Sequence, residues 1–243
     1  MSETEVLENQ GKLDESYIKE YLDQLKTAEQ ASYKADREYE VDSKNTEKKE
    51  AFVVARKTEV QACLAAAEAL VKITDGAIDI PSAKLLIKEQ RAGVHEICEG
   101  LEHGLTKEQV RLYANPEFSN LQMREIRLGL ENGLTEEQIR LYAGPKFGYV
   151  NMREIRSGLE NGLTEEQVRL YANPEFNDGQ MKEIRLGLEG GLSMEQVGIY
   201  AKPLFYGEQM KELRLGLQNM EFIAKESNQQ QHHAKRSMMG KGR

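Results

Sequence analysis

Tryptophan is absent from the chain, cysteine occurs twice and histidine four times. Each scarcity excludes something. Cys63 and Cys98 have no CxxC partner, so neither a disulfide framework nor a zinc site is expected and both read as reduced thiols. His95, His103, His232 and His233 are unaccompanied by a cysteine or carboxylate cluster; the first two read as surface residues and no metal ligand is predicted. No run approaches the roughly 18 apolar residues of a membrane span, and the opening MSETEVLENQ lacks the basic start and apolar stretch of a signal peptide. A cytoplasmic protein without a membrane partner is therefore expected. GxGxxG, P-loop, HExxH and GxSxG motifs are also missing. Glutamate is so abundant that paired carboxylates carry no information. The expectation is a non-enzyme with no cofactor and no catalytic residue.

What is present is polar: 39% hydrophobic and 30% charged residues, with a mean hydropathy of −0.65. That composition suits thin helical architectures better than one deep globule. The net charge of −8 is uneven. Residues 1–50 are the most acidic part, whereas 232–243 hold Lys235, Arg236, Lys241 and Arg243 with no acid. An acidic body argues against a broad nucleic-acid footprint; the basic end reads as a disordered, solubilising tail.

The dominant feature is a repeat. Units begin at Val94, Met123, Met152, Met181 and Met210, a constant period of 29 residues (152 − 123). The second and third, MREIRLGLENGLTEEQIRLYAGPKFGYVN and MREIRSGLENGLTEEQVRLYANPEFNDGQ, agree at 21 of 29 positions. Met123, Ile126, Leu130 and Leu134 give an apolar helical stripe. Gly133 ends that helix, since glycine best accepts the left-handed conformation beyond a C-terminus. Thr135 then caps a second helix, with Gln138 three residues on. This capping box recurs as Thr106/Gln109, Thr164/Gln167 and Ser193/Gln196. The second helix is short and stops at Pro145, or at Pro116, Pro174 and Pro203 in the other units.

One such pair cannot bury its own stripe, so the predicted fold is all-α: an α-solenoid of stacked two-helix repeats. The columns Tyr113, Tyr142, Tyr171, Tyr200 and Phe118, Phe147, Phe176, Phe205 read as core packing rather than ligand contacts. Gly100, Gly129, Gly158, Gly187 and Gly216 fall mid-helix, where glycine costs about 0.5–1 kcal/mol against alanine; close helix–helix approach is the expected compensation. A column of Glu96, Glu125, Glu154, Glu183 and Glu212 runs beside Arg127, Arg156, Arg185 and Arg214, which predicts cross-repeat ion pairs on a solvated face. Recurrence among units so alike reflects shared ancestry as well as shared constraint.

Upstream, 13–40 and 46–73 read as an antiparallel helical hairpin with coiled-coil character. Tyr17, Tyr21, Leu22 and Leu25 mark its first stripe; Phe52, Val60, Cys63, Leu64, Ala67 and Val71 mark its second. A turn at Asp75-Gly76 leads to PSAKLLIKEQ, a short helix expected to cap the first repeat. In the fifth unit Met220 replaces the helix-ending glycine, so a longer, more polar helix is expected to close the stack. The domain reading is 1–93 for the hairpin and capping helix, 94–231 for four full repeats plus the C-terminal helix, and 232–243 for the tail.

The phrase QMREIRLGLENGL…EQVRLYANPEF resembles short helical repeats in accessory proteins of bacterial mobile elements, chiefly conjugative elements and phages of Firmicutes. The resemblance covers 94–219 and implies a bacterial, intracellular protein, with no catalytic residue to carry over. The expected function is a protein–protein interaction adaptor whose hairpin could mediate self-association. The alternatives are a nucleic-acid-associated protein using the tail and arginine column, and a non-catalytic subunit of an enzyme complex. The units differ most in the stretch after Phe, read as a loop edge. Apolar groups there, Tyr149, Val150, Leu204 and Tyr206, are the candidate partner-binding residues.

Overall fold

A computed structural model describes the backbone of residues 15–89 and 91–239 and the side chains of 17–89 and 91–223. The described residues form twelve helices and no strand, so the fold is all-α. None of these helices is long and apolar enough to cross a membrane. The chain divides into two compact units, 1–133 and 134–243. The division falls inside the second repeat rather than at residue 94, because the hairpin packs directly onto the first repeat and holds it in the same unit.

The first unit contains α1 (Glu15–Val41), α2 (Thr46–Ile73), α3 (Ile80–Glu89), α4 (Arg91–Glu102), α5 (Lys107–Arg111) and α6 (Asn120–Glu131). Helices α1 and α2 run antiparallel: Tyr39 stacks on Phe52 near the connection, and Lys72 lies over the Tyr17 ring at the far end. Asn45 starts α2 by accepting from the Glu47 and Lys48 amides, which satisfies two of the donors orphaned at a helix start. The buried seam is Ile18, Leu25, Ala28, Ala66, Ala67, Ala69, Leu70 and Ile73. Val60 and Leu64, expected in the stripe, are exposed; the small alanines take the seam because they let the helices approach closely. Asp75 and Gly76 both have positive φ, 48° and 76°, and make the expected turn into α3. Arg91 reaches back to Glu29 at 2.7 Å, and Lys107 pairs with Asp75. Cys63 and Cys98 form no disulfide with a described residue.

The second unit contains α7 (Glu136–Arg140), α8 (Tyr149–Glu160), α9 (Glu165–Arg169), α10 (Asp178–Glu189), α11 (Met194–Tyr200) and α12 (Gly207–Met239). Helix α10 packs against both α8 and α12. Its buried residues recur at the repeat spacing: Met152, Met181 and Met210, then Ile155 and Ile184, then Leu159 and Leu188.

The local structure of each repeat follows from its sequence. A 12-residue helix ends where Gly104, Gly133, Gly162 or Gly191 adopts φ between +86° and +89°. In α8 the Leu163 amide then donates to the Gly158 carbonyl and the Gly162 amide to the Leu159 carbonyl, the paired bonds of a left-handed helix stop. All four predicted capping boxes form. The short helix gives way to a turn in which the Phe amide donates to a carbonyl three residues back, as from Phe176 to Asn173 at 3.0 Å, with Pro174 between. The Asn173 side chain also accepts from the Glu175 amide, as Asn115 does from Glu117.

Two expectations need correction. The long helices begin at Asn120, Tyr149, Asp178 and Gly207, three residues before the assigned unit starts. The variable stretch is therefore a helix cap and first turn, not a loop. The tail expected to be irregular from 232 is helical to Met239, because no glycine or proline interrupts the chain between Gly216 and Gly240. Residues 240–243, with Lys241 and Arg243, lie outside the described residues, as do residues 1–14. The side chains of His232, His233, Lys235 and Arg236 are likewise outside the description.

Candidate functional site

The tyrosine column is core. Tyr113, Tyr142, Tyr171 and Tyr200 are fully buried, and Phe118, Phe147 and Phe176 nearly so. Three of the tyrosines each explain a glycine. A Cβ on Gly100, Gly158 or Gly187 would overlap the hydroxyl of Tyr113, Tyr171 or Tyr200, respectively. The same Cβ on Gly158 would sit 3.1 Å from the Leu163 side chain. The compensation for mid-helix glycine is thus a tyrosine folded back from the same unit's short helix, not a second helix backbone. The Tyr113 hydroxyl donates to the Glu96 carbonyl at 3.3 Å and Tyr200 to the Glu183 carbonyl at 3.2 Å. The Tyr171 hydroxyl is buried without a hydrogen-bond partner among the described residues. Burial raises the pKa of all three phenols.

The charged columns pair across repeats, as expected, but not on a solvated face. The Arg127 side chain is only 5% exposed. Its Nε donates to Glu96 at 3.0 Å, Nη2 lies 2.5 Å from Glu99, and Nη1 donates to Glu131 at 2.8 Å. Burial lowers its pKa, but the bonds it donates to Glu131 and Glu96 outweigh that and hold it above the usual value. Arg185 bonds Glu154 at 3.0 Å and Glu189 at 2.8 Å, and Arg214 bonds Glu183 at 2.8 Å. The geometry is helical: residues two apart point about 200° away from each other on a helix of 3.6 residues per turn. A Glu facing one neighbour therefore leaves the Arg two positions on facing the other. His95 and His103 are exposed, against Glu99 at 3.3 Å and Glu131 at 2.9 Å. Among the described residues no group of three or more His, Cys, Asp or Glu is placed to hold a metal ion.

The candidate partner residues all lie in the second unit. Tyr149 and Val150 are the first two residues of α8; Tyr149 is 41% exposed and Val150 half-buried. Leu204 sits in the proline turn before α12, and Tyr206 immediately precedes that helix, 76% and 79% exposed. The two pairs are not brought together. They stand at the starts of helices that flank α10, so at 8–10 Å per packed helix pair they are separated by roughly 16–20 Å. They share one edge, formed by the N-terminal ends of α8, α10 and α12.

Cap chemistry accounts for part of the variation along that edge, which the sequence reading missed. Ser119 with Gln122 and Asn177 with Gln180 form further capping boxes, whereas Gly148 provides no side-chain cap. Before α12, Gln209 accepts from the Tyr206 amide at 2.8 Å, but tyrosine returns no acceptor to the helix start. Gln180 also reaches forward, its Nε2 donating to the Pro203 and Phe205 carbonyls at 2.9 and 2.7 Å. The signal for these boxes, S/N-x-x-Q before an apolar run, was present as SNLQ and NDGQ. A second missed feature is α12: expected to be a polar closing helix, it exposes Leu213, Leu215, Met220, Phe222 and Ile223.

Compared with family models, with curated proteins and with solved structures, the chain matches none.

Proposed function

We propose that the protein is a non-enzymatic adaptor in which the 29-residue units stack as an α-solenoid and the edge carrying Tyr149, Val150, Leu204 and Tyr206 reads a protein partner. The observation that carries this reading is that Leu204 and Tyr206 are more than three-quarters exposed, at positions where the preceding unit has the polar, likewise exposed Glu175 and Asn177. An exposed tyrosine beside an exposed leucine is a frequent interface anchor. Cap chemistry calls for Ser, Asn, Asp or Gly at the position of Tyr206, so tyrosine there costs local helix stability and has to be explained by something else. The nucleic-acid alternative draws less support. Arg127, Arg185 and Arg214 are engaged by carboxylates, and a phosphate would have to displace those bonds.

The test is a pull-down from the native host with Tyr149→Ser and Tyr206→Ser combined, after circular dichroism has matched the variant's helicity to the parent's. The expected result is loss of at least one partner protein that the parent recovers. Recovery of every partner at parental yield would remove this edge as the binding surface.

A further inference from the structure

The last helix repeats the surface on which α10 receives its neighbour, and nothing in the described second unit covers it. On α10 three groups accept α12 and the turn before it. Glu183 takes Arg214, Gln180 donates to the Pro203 and Phe205 carbonyls, and Gly179 lies against Gly207. One repeat later the same positions are Glu212, Gln209 and Glu208. Glu212 and Gln209 are exposed, and among the described residues no Arg or Lys pairs with Glu212. The apolar positions agree. Leu213 is 39% exposed, whereas its counterparts Ile155 and Ile184 are fully buried. Met220, seven residues on and so on nearly the same side of the helix, is exposed too. The result is an apolar face with one unneutralised carboxylate where the preceding repeats hold an arginine.

We propose that this face of α12 docks an amphipathic helix of another protein, seated as the long helix of a further repeat would be. Its arginine meets Glu212, and its apolar side covers Leu213 and Met220. The occupant's charge follows from precedent within the molecule: Glu96, Glu154 and Glu183 each receive an arginine 31 residues on (127 − 96), from the long helix of the next unit. A second folded copy of this chain is a poor occupant, because Arg127, Arg156, Arg185 and Arg214, the arginines that sit at this repeat position, are already engaged. The inference rests on the repeat reading of the fold but not on the Tyr149 and Tyr206 edge, so either site can fail alone.

The probe is a labelled synthetic peptide of residues 178–206, which carries Arg185, titrated into the full chain and followed by fluorescence anisotropy. Saturable binding is expected, weakened at least tenfold by Glu212→Lys in a variant of parental helicity. The decisive arm exchanges the charges: peptide carrying Arg185→Glu should bind the parent weakly and regain affinity for Glu212→Lys. Absence of binding, or equal affinity for parent and Glu212→Lys, would overturn the proposal. So would sedimentation showing a dimer of the parent that Glu212→Lys dissociates, because the occupant would then be a second copy.

Discussion

Helices α10 and α12 start from nearly the same sequence, MKEIRLGL and MKELRLGL, and have different fates. Helix α10 reaches Gly191, turns through φ +88° and returns a short helix whose Tyr200 fills the space over Gly187. Helix α12 has Met220 at the corresponding position, continues to Met239, and leaves Gly216 with nothing above it. One residue able to adopt positive φ separates a helix that covers its own glycine from one that leaves it open. The pair also separates inheritance from constraint. Gly216 persists without the tyrosine that explains Gly187, and Glu212 without the arginine that explains Glu183.

The largest effect expected from this comparison concerns the carboxylates. The Arg214 side chain is 12% exposed, and Glu183→Ala leaves it, among the described residues, with the Gln218 side-chain carbonyl alone as acceptor. Removing one member of a largely buried pair should cost roughly 2–4 kcal/mol. Glu212→Ala, on an exposed position, should stay within about 0.5 kcal/mol. Urea unfolding of both variants checks this; equal losses would mean that the paired and unpaired columns are energetically alike.

A smaller effect concerns pH. Burial raises the Tyr113, Tyr171 and Tyr200 phenols above their ordinary value of 10.0, so the folded chain holds those protons more tightly than the unfolded chain. Their contribution to stability is fully present below pH about 10 and falls as pH rises beyond it, by about 1.4 kcal/mol per tyrosine per pH unit. Phenolate absorbance from the buried class should therefore grow together with loss of helicity. Ionisation of these tyrosines with the helical signal unchanged would contradict their burial.

The all-helical fold was legible wherever the information is local. Thr135 with Gln138, Gly133 before it and Pro145 after it each act within a few residues, and the helices end where these residues put them. What was not legible is what crosses distance. Tyr171 reaches Gly158 over 13 residues (171 − 158) through a turn, and a column of glycines does not say whether a backbone or a hydroxyl approaches it. Alternating Glu and Arg columns reveal pairing but not burial, because periodicity is the same on wet and dry faces. The caps of Ser119 and Asn177 fall in the stretch where the units differ most, so the same residues read as a loop in sequence and fold as helix starts. In α12 the exposure of Leu213, Leu215 and Met220 is set by what packs against the helix and not by any local pattern.

The central claim is that a tyrosine returned from the short helix is what requires the repeat's glycine, and that the last helix lacks it. The direct measurement is the pair of unfolding free energies for Gly187→Ala and Gly216→Ala. At Gly187 the new methyl must displace the buried Tyr200 hydroxyl, and a loss of about 1–3 kcal/mol is expected. At Gly216 nothing is displaced, and better helix propensity should stabilise the chain by about 0.5–1 kcal/mol. Opposite signs are predicted; changes of the same sign at both positions would contradict the account.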